Sequence, residues 1–226
     1  LNGKLIYDRQ ATVPVDIGSM MKLPVAMLFF KSLELQGVTP DEYEDYLSTE
    51  GPDRSYEQLL HAMFVNSEGA AIRSLLEDIR YSGMEVNSQI TSWGLKNTQL
   101  DSGKSSIQDL VTLYEGLYLG GMIDPSGRDY LLALMDEATS GKDSRLGILR
   151  KTNPMSLESY LRRGSTQDTV VAIGDSALIS VPVVDGEDSY IVVMLGLYDD
   201  DMPTTDLDLV AAVEEMAQVF WSFSRK

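Results

Sequence analysis

The stretch DIGSMMKLPVAMLFFKSLELQGV, residues 16–38, decides the fold and sets two polar side chains at the head of an apolar helix. Its apolar residues recur at three- and four-residue spacing, which predicts a helix buried around most of its circumference, with Gly37 as its C-terminal stop. Ser19 and Lys22 are the polar exceptions. Because residues three apart on a helix share a face, Lys22 can reach back toward the Ser19 hydroxyl, where the helix dipole favours an anion. This pattern suits a nucleophilic serine.

The composition narrows the classes of partner. The 226-residue chain is 43% hydrophobic, which is enough apolar content for one large domain or two small ones. Its formal charge is -17. Such an acidic chain repels phosphates and anionic lipids, which argues against nucleic-acid and membrane-surface partners. It has no cysteine and no run of eighteen apolar residues, so we expect no disulfide, thiolate metal site or membrane-spanning helix. The acidic run at residues 199–208 lacks the glycine and glutamate of a calcium loop, so we interpret it as a solvated connector. We expect neither a metal nor a cofactor.

The first residues indicate a fragment. Asn2 and Gly3 form a strong signal for a two-residue hairpin turn, and a strand-like segment follows at residues 4–7. A hairpin turn joins two strands, so a partner strand is expected before Leu1. We therefore expect the natural protein to continue upstream.

The middle of the chain has helical periodicity, whereas its last third has β-branched runs and turn residues. Since neither the N-terminal strand nor the C-terminal strands would be stable alone, we expect them to share one sheet. The sequence therefore predicts an α/β (α+β) fold, an antiparallel sheet flanked by helices, with residues 1–35 and 140–226 as one subdomain and residues 36–139 as an inserted all-α subdomain. Helices are predicted at residues 56–64, 70–79, 86–93, 107–118, 128–137 and 207–223, a loop with a short helix at 39–54, and strands at 169–184 and 189–198 around a turn at 185–188.

Two serine motifs compete for a catalytic role. A Ser-x-x-Lys pattern arises by chance roughly once in a chain of this length. The segment IGDSAL, residues 173–178, echoes lipase-like esterases, but the only histidine, His61, lies upstream and none follows Ser176. We therefore expect Gly174 and Asp175 to form a bulge or bend in a strand pair. A serine hydrolase built on this chain would take lysine as its base, which favours Lys22.

The order of motifs along nearly the whole chain resembles the serine β-lactamase and penicillin-binding protein superfamily, and class A β-lactamases in particular. Ser19 and Lys22 match the family's S-x-x-K. In SEGAAIR, residues 67–73, Ser67 looks like the second serine, set in a turn between two helices. The segment SSIQDLVTLYEGLYLGG, residues 105–121, is similar to the helix after the family's omega loop.

A third motif falls in YLRRGST, residues 160–166, where the family has K-T-G. The resemblance makes Arg162 the equivalent of the lysine, Arg163 of the threonine and Gly164 of the glycine. It implies that Arg162 or Arg163 attracts a substrate carboxylate and that the Ser165 N–H helps to hold an oxyanion. Arginine keeps the positive charge but not the geometry of lysine.

The chain also departs from the family pattern. Gly69 stands where the second motif has asparagine, which removes a side-chain contact to the substrate amide. Arg163 replaces a hydroxyl by a long cation. The segment LDSGKSSI, residues 100–107, is too short for the omega loop that brings class A enzymes their deacylating glutamate. We therefore expect a short connection here and an open cleft floor.

The resemblance implies acyl transfer from a peptide or β-lactam amide. Lys22 takes the proton of Ser19, the serine attacks the carbonyl, and Ser67 passes a proton to the leaving nitrogen. The N–H groups of Ser19 and Ser165 hold the oxyanion. Without a glutamate to activate water, deacylation should be slow or absent.

Other readings stay open. The eroded second and third motifs also fit a catalytically inactive binding or structural domain with the same fold. A D-alanyl peptidase of the bacterial cell wall would differ mainly in substrate. The resemblance implies a location outside the cytoplasm, in the cell envelope or secreted, although no signal segment is recognisable in this chain.

Overall fold

A computed structural model describes residues 10–66, 68–139, 158–165, 172–183 and 186–197, together with positions 211 and 215. The predicted strand at residues 4–7 and Ser67 lie outside the described residues, as does most of the predicted helix at 207–223. Ala211 and Glu215, four positions apart, are both helical and exposed, as expected for one polar face of such a helix.

Seven α-helices lie in the described part of the chain, and the five predicted between residues 56 and 137 are confirmed. Their bounds are α1 Lys22–Leu35, α2 Tyr43–Ser48, α3 Tyr56–Phe64, α4 Gly69–Tyr81, α5 Val86–Ser92, α6 Ile107–Leu119 and α7 Pro125–Thr139. Short 3-10 segments lie at Gly18–Met21, Pro40–Glu42 and Leu100–Ser102.

Helix α1 lies at the centre of the helical block, by which we mean helices α1 to α7. Its side chains from Lys22 through Phe30 are all buried, so it presents no polar face over its first nine residues. It contacts α3, α4 and α7. Phe29 and Phe30 lie 5.0 to 5.6 Å, centroid to centroid, from the rings of three tyrosines, Tyr43, Tyr56 and Tyr130.

Side-chain caps fix where several helices begin. At the start of α3, the Ser55 hydroxyl accepts a hydrogen bond from the Gln58 N–H, and the Ser55 N–H donates to Gln58 Oε1, which completes a capping box. At the start of α6, the Ser106 hydroxyl accepts from the Asp109 N–H. Helix α7 begins three residues before its predicted start because Asp124 accepts from the Ser126 N–H and Pro125 suits the first helical position.

The C-terminal strands form an antiparallel sheet in the order β3 Glu158–Ser165, β4 Ala172–Val183 and β5 Gly186–Leu197. The predicted bulge at Gly174 and Asp175 is wrong, because both ladders run one-to-one through these residues. Gly174 lies opposite Gly164, so neither strand has a side chain to accommodate there. The predicted turn at residues 185–188 is also too long, since Gly186 already pairs with Val183.

A second, two-stranded sheet lies beside the first serine. Strand β1, Val15–Asp16, pairs antiparallel with β2, Lys104–Ser105. Helix α7 packs on β3 and α6 on β5, while β3 also contacts the 3-10 segment Gly18–Met21. The division into subdomains 1–35 with 140–226 and 36–139 stays a prediction. None of the described helices has the length and apolarity needed to cross a membrane.

Candidate active site

The predicted nucleophile sits in the 3-10 segment Gly18–Met21, which we call the serine turn. Ile17, directly before the turn, and Met20, within it, are each 1% exposed and anchor the turn in the core. Ser19 is only half-buried. Gly18 has φ +47°, a left-handed conformation that disfavours a side chain. The turn is therefore fixed by packing and by glycine geometry.

Three backbone donors hold the serine turn in place. The Gly18 N–H donates to Asp16 Oδ1 at 2.8 Å, and the Met20 N–H donates to the Ile17 carbonyl at 3.0 Å. The Ile17 N–H donates to the Gly103 carbonyl at 3.1 Å, which ties the turn to the loop before β2. Sequence reasoning missed Asp16, although an aspartate two residues before a glycine is a signal for an Asx turn.

Lys22 is the first residue of α1 and is only 3% exposed. It follows Ser19 by three residues, and the first helical turn contains no acidic residue. A buried amine at this position is shielded from bulk water. A hydrogen bond between the Lys22 amine and the Ser19 hydroxyl stays a prediction.

Strand β3 brings the third predicted motif to the same place, since its backbone lies against the serine turn. The pairing with β4 fixes the register of the four predicted substrate-binding positions: Arg162 lies opposite Ser176, Arg163 opposite Asp175, Gly164 opposite Gly174 and Ser165 opposite Ile173. Cross-strand partners share one face of a sheet, so Arg163 and Asp175 form an opposite-charge pair of positions.

Ser67, the predicted second serine, lies outside the described residues, but the chain on its C-terminal side is well anchored. The Glu68 N–H donates to the Ala62 carbonyl at 3.0 Å. Arg54 donates through both terminal nitrogens to the two Glu68 carboxylate oxygens at 3.1 and 2.9 Å. Hydrogen bonding to Glu68, and then to Asp53, raises the pKa of Arg54 and keeps it charged.

Gly69, which replaces the family's asparagine, is the first residue of α4. A Cβ built at Gly69 would meet only Arg73 Nη1, at 3.8 Å, within contact distance. The position therefore has room for a side chain.

The connection at residues 100–107 is short, as predicted. It consists of the 3-10 segment Leu100–Ser102, Gly103 at φ +68° and strand β2, after which Ser106 caps α6. Within residues 100–107 the only carboxylate is Asp101, which is exposed and pairs with Arg80. No glutamate occurs in this segment.

Metal-ligand chemistry finds no support in the part of the chain that the structure describes. No group of three or more histidine or acidic side chains is close enough there to hold an ion. The chemistry available at the serine turn is that of a hydroxyl, a buried amine and backbone N–H groups.

Comparison of whole structures gives three informative neighbours. The TLA-1 extended-spectrum β-lactamase superposes with a TM-score of 0.73 at 18% identity, over 97% of this chain and 88% of that one. A β-lactamase from Chitinophaga pinensis gives 0.72 at 17%, over 96% and 88%. The L158E mutant of PBP-A, an acyl-enzyme complex with penicillin G, gives 0.68 at 19%, over 95% and 85%. At these identities the likeness establishes the fold, which is β-lactamase-like as the sequence predicted.

The family assignment comes from the sequence. No curated protein matches the chain at a significant level. The model of the β-lactamase enzyme family matches residues 1–148, about two thirds of the chain, and includes the serine turn, α1 and the whole helical block. The protein therefore belongs to the β-lactamase enzyme family.

Proposed function

We propose that this protein is a serine acyl-transfer protein of the penicillin-binding type, which forms a long-lived acyl-enzyme with a peptide or β-lactam amide. One observation carries the proposal: a half-buried Ser19 lies in a hydrogen-bonded turn, three residues before the buried Lys22, and this turn lies against strand β3. A hydroxyl, an amine and a strand edge are the parts that acyl transfer needs.

Acylation would proceed in three steps. The Lys22 amine takes the Ser19 proton, because burial favours the neutral form that can accept it. Ser19 Oγ then bonds to the substrate carbonyl carbon, and the oxyanion is held by the N–H groups of Ser19 and Ser165, each donor being worth about 3 kcal/mol. The C–N bond breaks as Ser67 passes a proton to the leaving nitrogen.

Deacylation would be slow for a reason that lies in the short connection. A water molecule must lose a proton to attack the ester, and residues 100–107 supply no glutamate for this role. Lys22 would be the remaining base. The PBP-A mutant seen as an acyl-enzyme with penicillin G supports this proposal, because a protein of the same fold retains such an adduct.

The charge distribution favours a substrate with a carboxylate. Successive residues of a strand project to opposite faces, so one of the two arginines on β3, Arg162 or Arg163, would supply the positive charge beside the serine turn in a chain of formal charge -17. Penicillins and the C-terminus of a cell-wall peptide both carry a carboxylate near the amide. We also propose, on the family resemblance, a location outside the cytoplasm, either secreted or in the bacterial cell envelope.

A second candidate, an inactive binding domain, is favoured by one specific observation. Gly69 leaves an open position where the family has an asparagine side chain, so one substrate contact is missing. In this alternative the cleft binds a ligand and Ser19 stays unmodified.

The test is the intact mass of the protein after incubation with a penicillin. We expect an adduct of one penicillin per chain that persists for many minutes, is absent in Ser19→Ala, and forms normally in the control Ser48→Ala, whose hydroxyl bonds only to its own helix. Rapid hydrolysis of the penicillin without a detectable adduct would contradict slow deacylation. No adduct at millimolar penicillin would favour the inactive domain.

A further inference from the structure

A buried polar cluster lies beneath the short connection, on the side away from solvent. Asp109 is 2% exposed, and Ser105 and Ser106 are fully buried. Asp109 Oδ2 accepts from the Asn97 N–H at 2.7 Å and from the Thr98 hydroxyl at 2.8 Å. A buried carboxylate is costly unless it is hydrogen-bonded, so these donors are needed for the fold to tolerate it.

The hydroxyls in this cluster have a fixed order of donors and acceptors. Thr98 has one hydroxyl proton and donates it to Asp109 Oδ2. The Thr98 oxygen must therefore accept from Ser105, whose hydroxyl lies 2.8 Å away. Thr98 is the link between Asp109 and strand β2.

Strand β2 is linked to the serine turn by strand pairing and hydrogen bonds. Ser105 pairs with Val15 of β1, and the Gln99 and Lys104 backbones exchange hydrogen bonds of 2.8 and 3.1 Å. The Ile17 N–H donates to Gly103 in the loop of this small hairpin. A continuous path of hydrogen bonds and strand pairing thus leads from Asp109 to the residues just before Ser19.

The path matters because the hairpin is small. Strands of two residues each are marginal on their own, so their position depends on what they are tied to. A displacement of a reacting group by about 1 Å can cost on the order of a hundredfold in rate. The connection at residues 100–107 is itself too short to cover the turn.

We propose that Thr98 and Asp109 are positioning residues for Ser19, and that the short connection serves as a brace for the serine turn. The brace comprises residues 97–109 and strand β1. This inference rests on the proposed acyl transfer for its kinetic consequence, but the brace itself can be measured without any reaction.

The kinetic test uses Thr98→Val, which keeps the shape of the side chain and removes its hydroxyl. We expect the rate constant for acylation at saturating penicillin to fall about 10- to 100-fold with little change in Kd, and Thr98→Ser to restore it. Thr112→Val is the matched control, because that hydroxyl bonds only to the Gln108 carbonyl on the exposed face of α6. The remote core variant Ile79→Val controls for lost stability.

The second test is amide hydrogen exchange in the full chain. In wild type the Ile17 and Gly18 amides should be protected, and Thr98→Val should speed their exchange at least tenfold while the central amides of α1 stay unchanged. If wild type is never acylated, the proposed function fails, but this measurement still decides the brace. Unchanged exchange at Ile17 and Gly18, or slowed acylation shared equally by Ile79→Val, would overturn the proposal.

Discussion

The serine turn and strand β3 lie against each other, yet they differ in how closely their sequences match the family's motifs. The turn is anchored by Ile17 and Met20 in the main core, and its sequence matches the family motif. Strand β3 keeps the family's glycine at Gly164 but carries two arginines in place of lysine and threonine. The half of the site that we propose makes the bond therefore keeps the family's residue types, while the half that we propose holds the substrate differs from them.

Packing explains why the serine turn tolerates little change. Truncating a fully buried residue such as Ile17 or Met20 would leave a cavity at a cost of about 2–5 kcal/mol. The comparison predicts that changes in the turn alter reaction rates, whereas changes in β3 alter affinity.

The largest effect is expected for Lys22→Met, which keeps the length of a buried side chain and removes the amine. Loss of a general base should slow acylation of Ser19 by about 10²- to 10⁴-fold, with an unchanged Kd for the penicillin. Stopped-flow measurement of adduct formation separates the two constants. Lys31→Met on the same helix is the control, since it loses only a partly exposed ion pair with Glu34. Normal acylation in Lys22→Met would mean that another group is the base.

On the other half of the site, Arg162→Ala should weaken binding instead of slowing the reaction. Loss of a charged hydrogen bond to the substrate carboxylate is worth about 1.5–3 kcal/mol, or roughly 10- to 150-fold in Kd. The effect should shrink with added salt. Arg128→Ala, which removes a surface pair with Asp129 on α7, should leave Kd unchanged. An equal loss in both variants would point to overall charge and not to a site on β3.

A smaller gain is expected when the missing family side chain is restored by Gly69→Asn. The open space at this position accepts the amide without a clash, and one added hydrogen bond to the substrate is worth about 1 kcal/mol, roughly fivefold in acylation rate. Gly69→Ala is the control and should change only stability, by about 0.5–1 kcal/mol in favour of the helix. If both variants acylate at the wild-type rate, the second motif no longer touches the substrate.

Local sequence signals predicted much of this fold. Helix α3, Tyr56–Phe64, is predicted to the residue because its periodicity is a local signal. The burial of α1 followed from an apolar stretch with no polar face. The placement of Ser19 ahead of Lys22 at the helix start was equally local, since residues three apart on a helix are neighbours.

The remaining features depend on residues far apart in the sequence. The predicted bulge at Gly174 failed because the partner of that glycine is another glycine, Gly164, and register between strands cannot be read from one strand. The brace was missed because Thr98 and Asp109 meet across 11 positions, through side chains that are common in loops and helix caps. Polar clusters of this kind become visible only when the chain is folded.

The smallest effect concerns Tyr43, which packs on Phe30 far along α1 from the serine turn. Its hydroxyl is buried and has no hydrogen-bond partner in the described part of the chain, while the two oxygens of nearby Glu34 accept from the Asp124 N–H and from Lys31. Burial, then the charges of Asp124 and Glu34, raises the pKa of Tyr43 to about 12. Since an unpaired buried hydroxyl costs about 1–3 kcal/mol, Tyr43→Phe should raise stability by about 1 kcal/mol at pH 7.

The pH dependence of this difference follows from the raised pKa. In the unfolded chain Tyr43 ionises near pH 10, whereas in the folded chain it ionises near pH 12, so the wild type loses stability as pH rises through this interval. The advantage of Tyr43→Phe should be constant below pH 10 and should grow between pH 10 and 12. Thermal unfolding at several pH values measures it, with Tyr81→Phe as the control because that ring is 89% exposed. A less stable Tyr43→Phe at pH 7 would mean that an ordered water satisfies the hydroxyl, and that Tyr43 contributes to the core as a polar residue.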